Sequence, residues 1–126
     1  MLYTQLNELI NDCHGAAVRA GWYTDLKTGL PKVRNDGEQL MLIVSEVSEA
    51  FEGLRKNLQD DKLPEFKMYH VELIDVAIRL FDIMGKEQDK DPTLDFGAIY
   101  AAKRAFNDNR SDHKIENRKK EGGKAF

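Results

Sequence analysis

What this chain lacks sets its first limits. It has one cysteine, Cys13, in 126 residues, which excludes an internal disulfide and suits a reducing cytoplasm. No apolar run approaches the length needed to span a bilayer, so no membrane partner is expected. The start, Met1-Leu2-Tyr3-Thr4-Gln5, has neither a basic region nor an apolar run behind it, so no signal peptide is expected. A strand-like alternation of useful length is missing, as is any internal repeat. Positive charge is not in excess either: the net charge is −3, which argues against a nucleic-acid binder.

What is present is a globular composition, 41% hydrophobic and 33% charged, long enough for one domain with a core. The charge is uneven. Residues 110–126 carry a local +3, leaving −6 on the first 109. An acidic body with a basic tail offers cations one place and phosphates another.

Helical periodicity organises the chain. Residues 2–20 repeat Leu2, Leu6, Leu9, Ile10, Cys13, Ala16, Ala17 and Ala20, with Gly21 placed to terminate the helix. His14 lies near that stripe, as a packed histidine or a ligand. Residues 21–37 hold three glycines and a proline and keep no period, so they read as an unusually long loop of the kind that carries function. At its root, Trp22 and Tyr23 either cap the bundle or stack on a ligand ring. Residues 38–57 form a strong helix with Leu40, Ile43, Val44, Val47, Ala50, Phe51 and Leu54 along its stripe. A short polar connection leads to Pro64, which suits the first turn of a helix over 64–85, ended by Gly85. This helix is apolar on more than one side, while Glu72, Asp75, Arg79 and Asp82 climb one ridge and His70 lies just outside it. Residues 86–92 read as a charged linker, and 93–108 as a weaker helix with Thr93 as N-cap. The polar, basic ending 111–126 is expected to be loosely ordered. The fold class is therefore all-α, a helical bundle of four main helices. Helices 1 and 4 do not supply enough cover for the central hairpin, so oligomerisation should complete it.

The chemistry concentrates in two short stretches, Glu46-Val47-Ser48-Glu49 and Glu72-Leu73-Ile74-Asp75. Residues three apart share a helix face. Helices joined by a short link pack antiparallel, so four carboxylates should converge on one seam. Left alone they repel one another and raise each other's pKa values; hard divalent cations such as Mg2+ or Mn2+ resolve both problems with oxygen ligands. One acidic pair on a helix is ordinarily a solvated face, but two on consecutive core helices, without a basic residue inside either, are less readily explained that way. Di-iron bundles call for Glu-x-x-His, and here the fourth residue is Glu or Asp.

Glu46-x-x-Glu49, a gap of 22 residues and Glu72-x-x-Asp75 resemble the signature of the all-α nucleoside triphosphate pyrophosphohydrolases, the MazG-like and dimeric dUTPase superfamily. Ser45 to Arg55 looks like that family's first motif helix and Glu72 to Asp82 like its second. Ala20-Gly21-Trp22-Tyr23 is similar to its aromatic segment, and Lys103, Asn107 and Arg110 to its later Lys/Asn/Arg set. The resemblance covers roughly residues 10–115 and is closest to small single-domain phage and bacterial members, with residues 1–110 as the domain. It implies cytoplasmic hydrolysis (host cytoplasm if phage-encoded) of a (d)NTP to the (d)NMP and pyrophosphate. Glu46, Glu49, Glu72 and Asp75 would be catalytic, holding two or three Mg2+ or Mn2+ ions. Lys103, Asn107 and Arg110 would bind phosphate, and Trp22 and His14 would contact the base; apart from the resemblance, the reading leans to a purine nucleotide, guanine among them. A homodimer or homotetramer is implied. The chain departs from the family in its ending, where Ser111 to Glu116 run on before Gly122-Gly123-Lys124. The alternatives are the same fold acting on dUTP, dCTP or a phosphoribosyl intermediate, and a non-catalytic helical interaction module.

Overall fold

A computed structural model describes residues 2–126; Met1 and the side chain of Leu2, which opens the first stripe, lie outside the described residues. The chain is all-helical, with four main helices: α1 (Leu2–Arg19), α2 (Asp36–Lys56), α3 (Met68–Lys90) and α4 (Phe96–Asn109). A 3-10 turn (Ser111–His113) and the one-turn α5 (Ile115–Arg118) follow. Among the described residues there is no strand, only the isolated bridges Thr24–Pro31 and Gln59–Lys67. No described helix is long and apolar enough to cross a membrane.

α3 is the central element, packing on α2 at one side and α1 at the other, with α4 laid on α1. α2 and α3 run antiparallel: Gln39 and Asp36 at the start of α2 meet Lys86 near the end of α3, and Gly53 meets Met68. A Cβ at Gly53 would lie 2.8 Å from Met68 Cγ, so the hairpin closes where the side chain is smallest. α2 is well capped. Asn35 accepts from the Glu38 amide, Asp36 and Glu38 occupy the first turn, Arg55 and Lys56 the last, and Asn57 (φ 52°) turns left-handed to end it. Each agrees with the helix dipole or an orphan backbone group.

Three element boundaries differ from the sequence expectation, each for a local reason. α3 begins at Met68 rather than Pro64, because Asp60 is buried and its carboxylate accepts from the Lys62 and Leu63 amides, which commits residues 60–66 to a turn. Gly85 does not end α3. It lies mid-helix against His14, where an added Cβ would overlap His14 Cβ, and the expected linker continues as helix to Lys90. α4 is capped by Asp95, whose carboxylate accepts from the Ala98 amide; Thr93 bonds instead to Asp91. The ending is more built than its composition suggested: Arg118 donates to the carbonyls of Lys124 and Ala125, and Asn117 to that of Ser111.

The core is thin. Among the described residues the buried hydrophobics are Ile10, Ile43 and Ala50, while Leu40, Val44, Val47, Phe51 and Leu54 of α2 are all exposed, Phe51 by 63%. These five recur at spacings of four and three along one side of α2. The surface hydroxyls beside them are turned onto their own helix, Ser45 to the Leu42 carbonyl and Ser48 to that of Val44.

The Gly85–His14 contact carries a stability prediction. Alanine is the better helix former by about 1 kcal/mol, yet Gly85→Ala should destabilise the protein by about 1–3 kcal/mol through overpacking. Urea unfolding measures the difference, and a stabilised variant would refute the close approach.

Candidate metal and substrate site

The two acidic motifs meet where α2 crosses α3. One carboxylate oxygen from each of Glu46, Glu72 and Asp75 lies within 4.8 Å of the others. Glu72 is buried and its Oε2 is enclosed without a hydrogen-bond partner. Burial, a hydrogen bond with Glu46 and the charges of Glu49, Glu46 and Asp75 push the Glu72 carboxyl up to about 8. Burial also raises Asp75, reinforced by the charge of Glu46 and opposed by Arg79. At Glu46 burial pulls upward too, but hydrogen bonds with Glu72 and Arg79 outweigh it and hold the group below its usual value. The Arg79 Nε donates to Glu46 Oε1 at 2.8 Å.

This is how carboxylates crowded around a single arginine behave: the deepest one is pushed up most. A buried orphan oxygen facing two neighbouring carboxylates suits a hard divalent cation, which takes oxygen ligands and releases the proton on binding. The donor set fits Mg2+ or Mn2+. Glu49 is exposed and stands outside the triad, close enough for its charge to act on Glu72.

The triad opens onto a cleft of about 720 Å3 between α1, α2, α3 and the long loop. Glu46, Asp75 and Arg79 line it from the hairpin, and Ala16, Ala17 and Ala20 from α1. Leu42 and Ile78 add apolar wall. The loop supplies Trp22, 61% exposed, and Arg34, whose guanidinium lies 5.6 Å over the Trp22 ring.

Beside the cleft runs a buried polar chain. His14 Nδ1 is 2.8 Å from Asp82 Oδ1 and Nε2 is 2.9 Å from Asp89 Oδ2. Tyr23 donates to Asp82 at 3.0 Å and accepts from Gln39, which in turn accepts from the buried Lys86. Burial pushes the Tyr23 hydroxyl up to about 12; the Gln39 bond counters and the Asp82 bond reinforces this. His14 is thus occupied structurally and does not line the cleft, whereas Trp22 does.

The sequence candidates divide accordingly. Glu46, Glu72 and Asp75 come together, with Glu49 beside them and Trp22 on the cleft. Lys103 and Asn107 lie on α4 and Arg110 caps its C-terminus; α4 packs chiefly on α1, touching α3 where the Phe96 amide donates to Gln88. There Lys103 and Arg110 sit over the Phe106 ring, Arg110 pairs with Asp112, and Asn107 Oδ1 is enclosed without a partner. Sequence reasoning missed Arg34 and Gln39; their position in a long loop and at the start of the motif helix was the available signal.

Comparison with known proteins adds no relative: no family model matches the chain, and neither a curated protein nor a solved structure does.

The raised Glu72 carboxyl fixes the sign of a pH effect. The folded state keeps a proton that the unfolded chain releases near 4.5, so stability from this group is present at low pH and is lost as pH climbs towards about 8. Glu72→Gln should raise Tm by about 3–6 °C at pH 8 in the absence of divalent ions, and change it little at pH 5. An unaltered Tm-against-pH curve would sink this account of the triad.

Proposed function

We propose that the chain is a divalent-metal-dependent nucleoside triphosphate pyrophosphohydrolase of the MazG-like all-α kind, converting a (d)NTP to the (d)NMP and pyrophosphate. The observation that carries the reading is the Glu46, Glu72 and Asp75 triad, with an orphan buried oxygen on Glu72, at the side of a cleft large enough for a nucleotide.

Glu46, Glu72 and Asp75, with Glu49 at their edge, would hold Mg2+ or Mn2+; such an ion screens phosphate charge and acidifies a bound water. The chain's own residues supply the rest. Arg79 fixes the Glu46 carboxylate through its 2.8 Å bond. Glu49, exposed next to the triad, accepts the proton of the water that attacks the α-phosphorus. The bond to the α–β bridging oxygen breaks and pyrophosphate leaves. The alanine wall of α1 and Trp22 confine the nucleoside and limit competing water.

A second copy of the chain belongs to this reading. The folded chain exposes 9574 Å2, whereas a compact monomer of 14.4 kDa exposes about 6,800 Å2. The excess of about 2,700 Å2 is slightly more than the roughly 1,000–2,500 Å2 that each partner of an obligate homodimer buries. The charge-free α2 stripe is the face to cover. Association also offers Lys103, Asn107 and Arg110 a route to phosphates that α4 does not give them within one chain. The same stripe favours the second reading, a non-catalytic helical interaction module, which needs no metal.

Incubation with each NTP and dNTP plus Mg2+ or Mn2+ should yield monophosphate and pyrophosphate. Glu49→Gln should lower kcat by about 10^2–10^4. No turnover of any nucleotide, with Glu46→Gln and Asp75→Asn leaving divalent binding unchanged, would overturn the enzyme reading in favour of the module. Sedimentation should give a dimer or tetramer, and Phe51→Asp should shift it toward smaller species. A monomeric parent would rule out the second copy.

A further inference from the structure

We propose that Arg34 reads the base: it selects a 6-oxopurine, guanine or hypoxanthine, by donating two hydrogen bonds to O6 and N7. This deepens the nucleotide reading of the cleft and rests on it.

Arg34 is held in place from both sides. Upstream, the Thr24–Pro31 bridge and the bond from the Lys32 amide to the Tyr23 carbonyl close the loop on itself. Downstream, Asn35 is the N-cap of α2. The Arg34 guanidinium carbon lies 5.6 Å from the centre of the Trp22 ring and 5.9 Å from that of Tyr23, contacts that use none of its N–H donors in a hydrogen bond. Among the described residues no acceptor takes a hydrogen bond from Arg34 and no carboxylate pairs with it, whereas Arg79 in the same cleft is tied to Glu46. A half-buried guanidinium that lies beside two aromatic rings and whose donors have no protein partner among the described residues is prepared for a ligand with paired acceptors.

The surroundings specify what carries those acceptors. Ala16, Ala17, Leu42 and Ile78 make the wall beside Arg34 apolar, which suits a flat ring. A few fixed polar groups in such a cleft set orientation and specificity. The O6/N7 edge of guanine presents two acceptors in the spacing of an arginine fork, whereas adenine places a donor amine beside N7. Uracil offers one carbonyl there and no N7. Arg34 therefore favours the 6-oxopurine and penalises adenine.

Trp22 is the sole tryptophan and lies against Arg34, so its fluorescence reports binding without turnover. The full chain with Mg2+ is titrated with GMP, IMP, AMP, UMP and inorganic pyrophosphate, and each affinity is confirmed by equilibrium dialysis because substitution at Arg34 alters the fluorophore's surroundings. The parent should bind GMP and IMP at least about tenfold tighter than AMP. Arg34→Met should bring GMP down to the level of AMP while pyrophosphate binding stays within about twofold. Arg34→Lys, which keeps the charge but loses the fork, should also lose most of the preference. If Arg34→Met weakens every nucleotide and pyrophosphate alike, Arg34 is a phosphate contact and the inference fails. A parent that binds nucleotides without base preference overturns the inference alone, and a parent that binds none overturns the nucleotide reading with it.

Discussion

The mutual repulsion of carboxylates across the α2–α3 seam is the constraint on which the rest of the structure turns. Three acidic side chains are held within ligand distance by two helices whose relative position is set elsewhere, at Gly53 against Met68 and at Gln39 and Asp36 against Lys86. Such an arrangement is costly in the protein alone, which is why the Glu72 carboxyl is pushed up to about 8 and Arg79 is drawn to Glu46. Natural chains keep unfavourable placements of this kind where the site needs them. The cost is met by the two ends of the hairpin, so the arrangement is held by contacts one to three turns away rather than by its own groups.

The same logic explains where hydrophobic surface is spent. The chain buries few large side chains while exposing an unbroken row on α2, the face proposed to meet a second copy. The acidic seam sits beside that row rather than on the opposite face. The candidate site and the proposed association face therefore share α2, and whatever fixes the rotation of that helix bears on both.

Much of this was legible in the sequence. The four helices follow from the 3.6-residue period, and the meeting of Glu46, Glu72 and Asp75 follows from two i, i+3 pairs on helices with a short connection. The boundaries were less legible because they depend on partners far away. Gly85 reads as a terminator locally, but only the approach of His14, some seventy residues earlier, explains a glycine inside α3. Pro64 reads as a helix start until Asp60 gathers the neighbouring amides. Which member of Glu46–Glu49 turns inward depends on the rotation of α2 about its axis, which the pattern leaves open by one residue. The packing of α4 on α1 has no local signature at all. Arg34 was overlooked because a single arginine in a loop shows no period; its two aromatic neighbours lie eleven and twelve residues away in sequence.

His14 has a consequence for how the helices find their alignment. Its two ring nitrogens bond to Asp82 and Asp89, which stand seven residues, two helical turns, apart on α3. One side chain therefore bridges two rungs of the neighbouring helix. A slip of α1 by a single turn, about 5.4 Å, would leave at least one of the two carboxylates without its imidazole and would drive His14 away from the notch at Gly85. The histidine works as a ratchet pawl that permits one tooth.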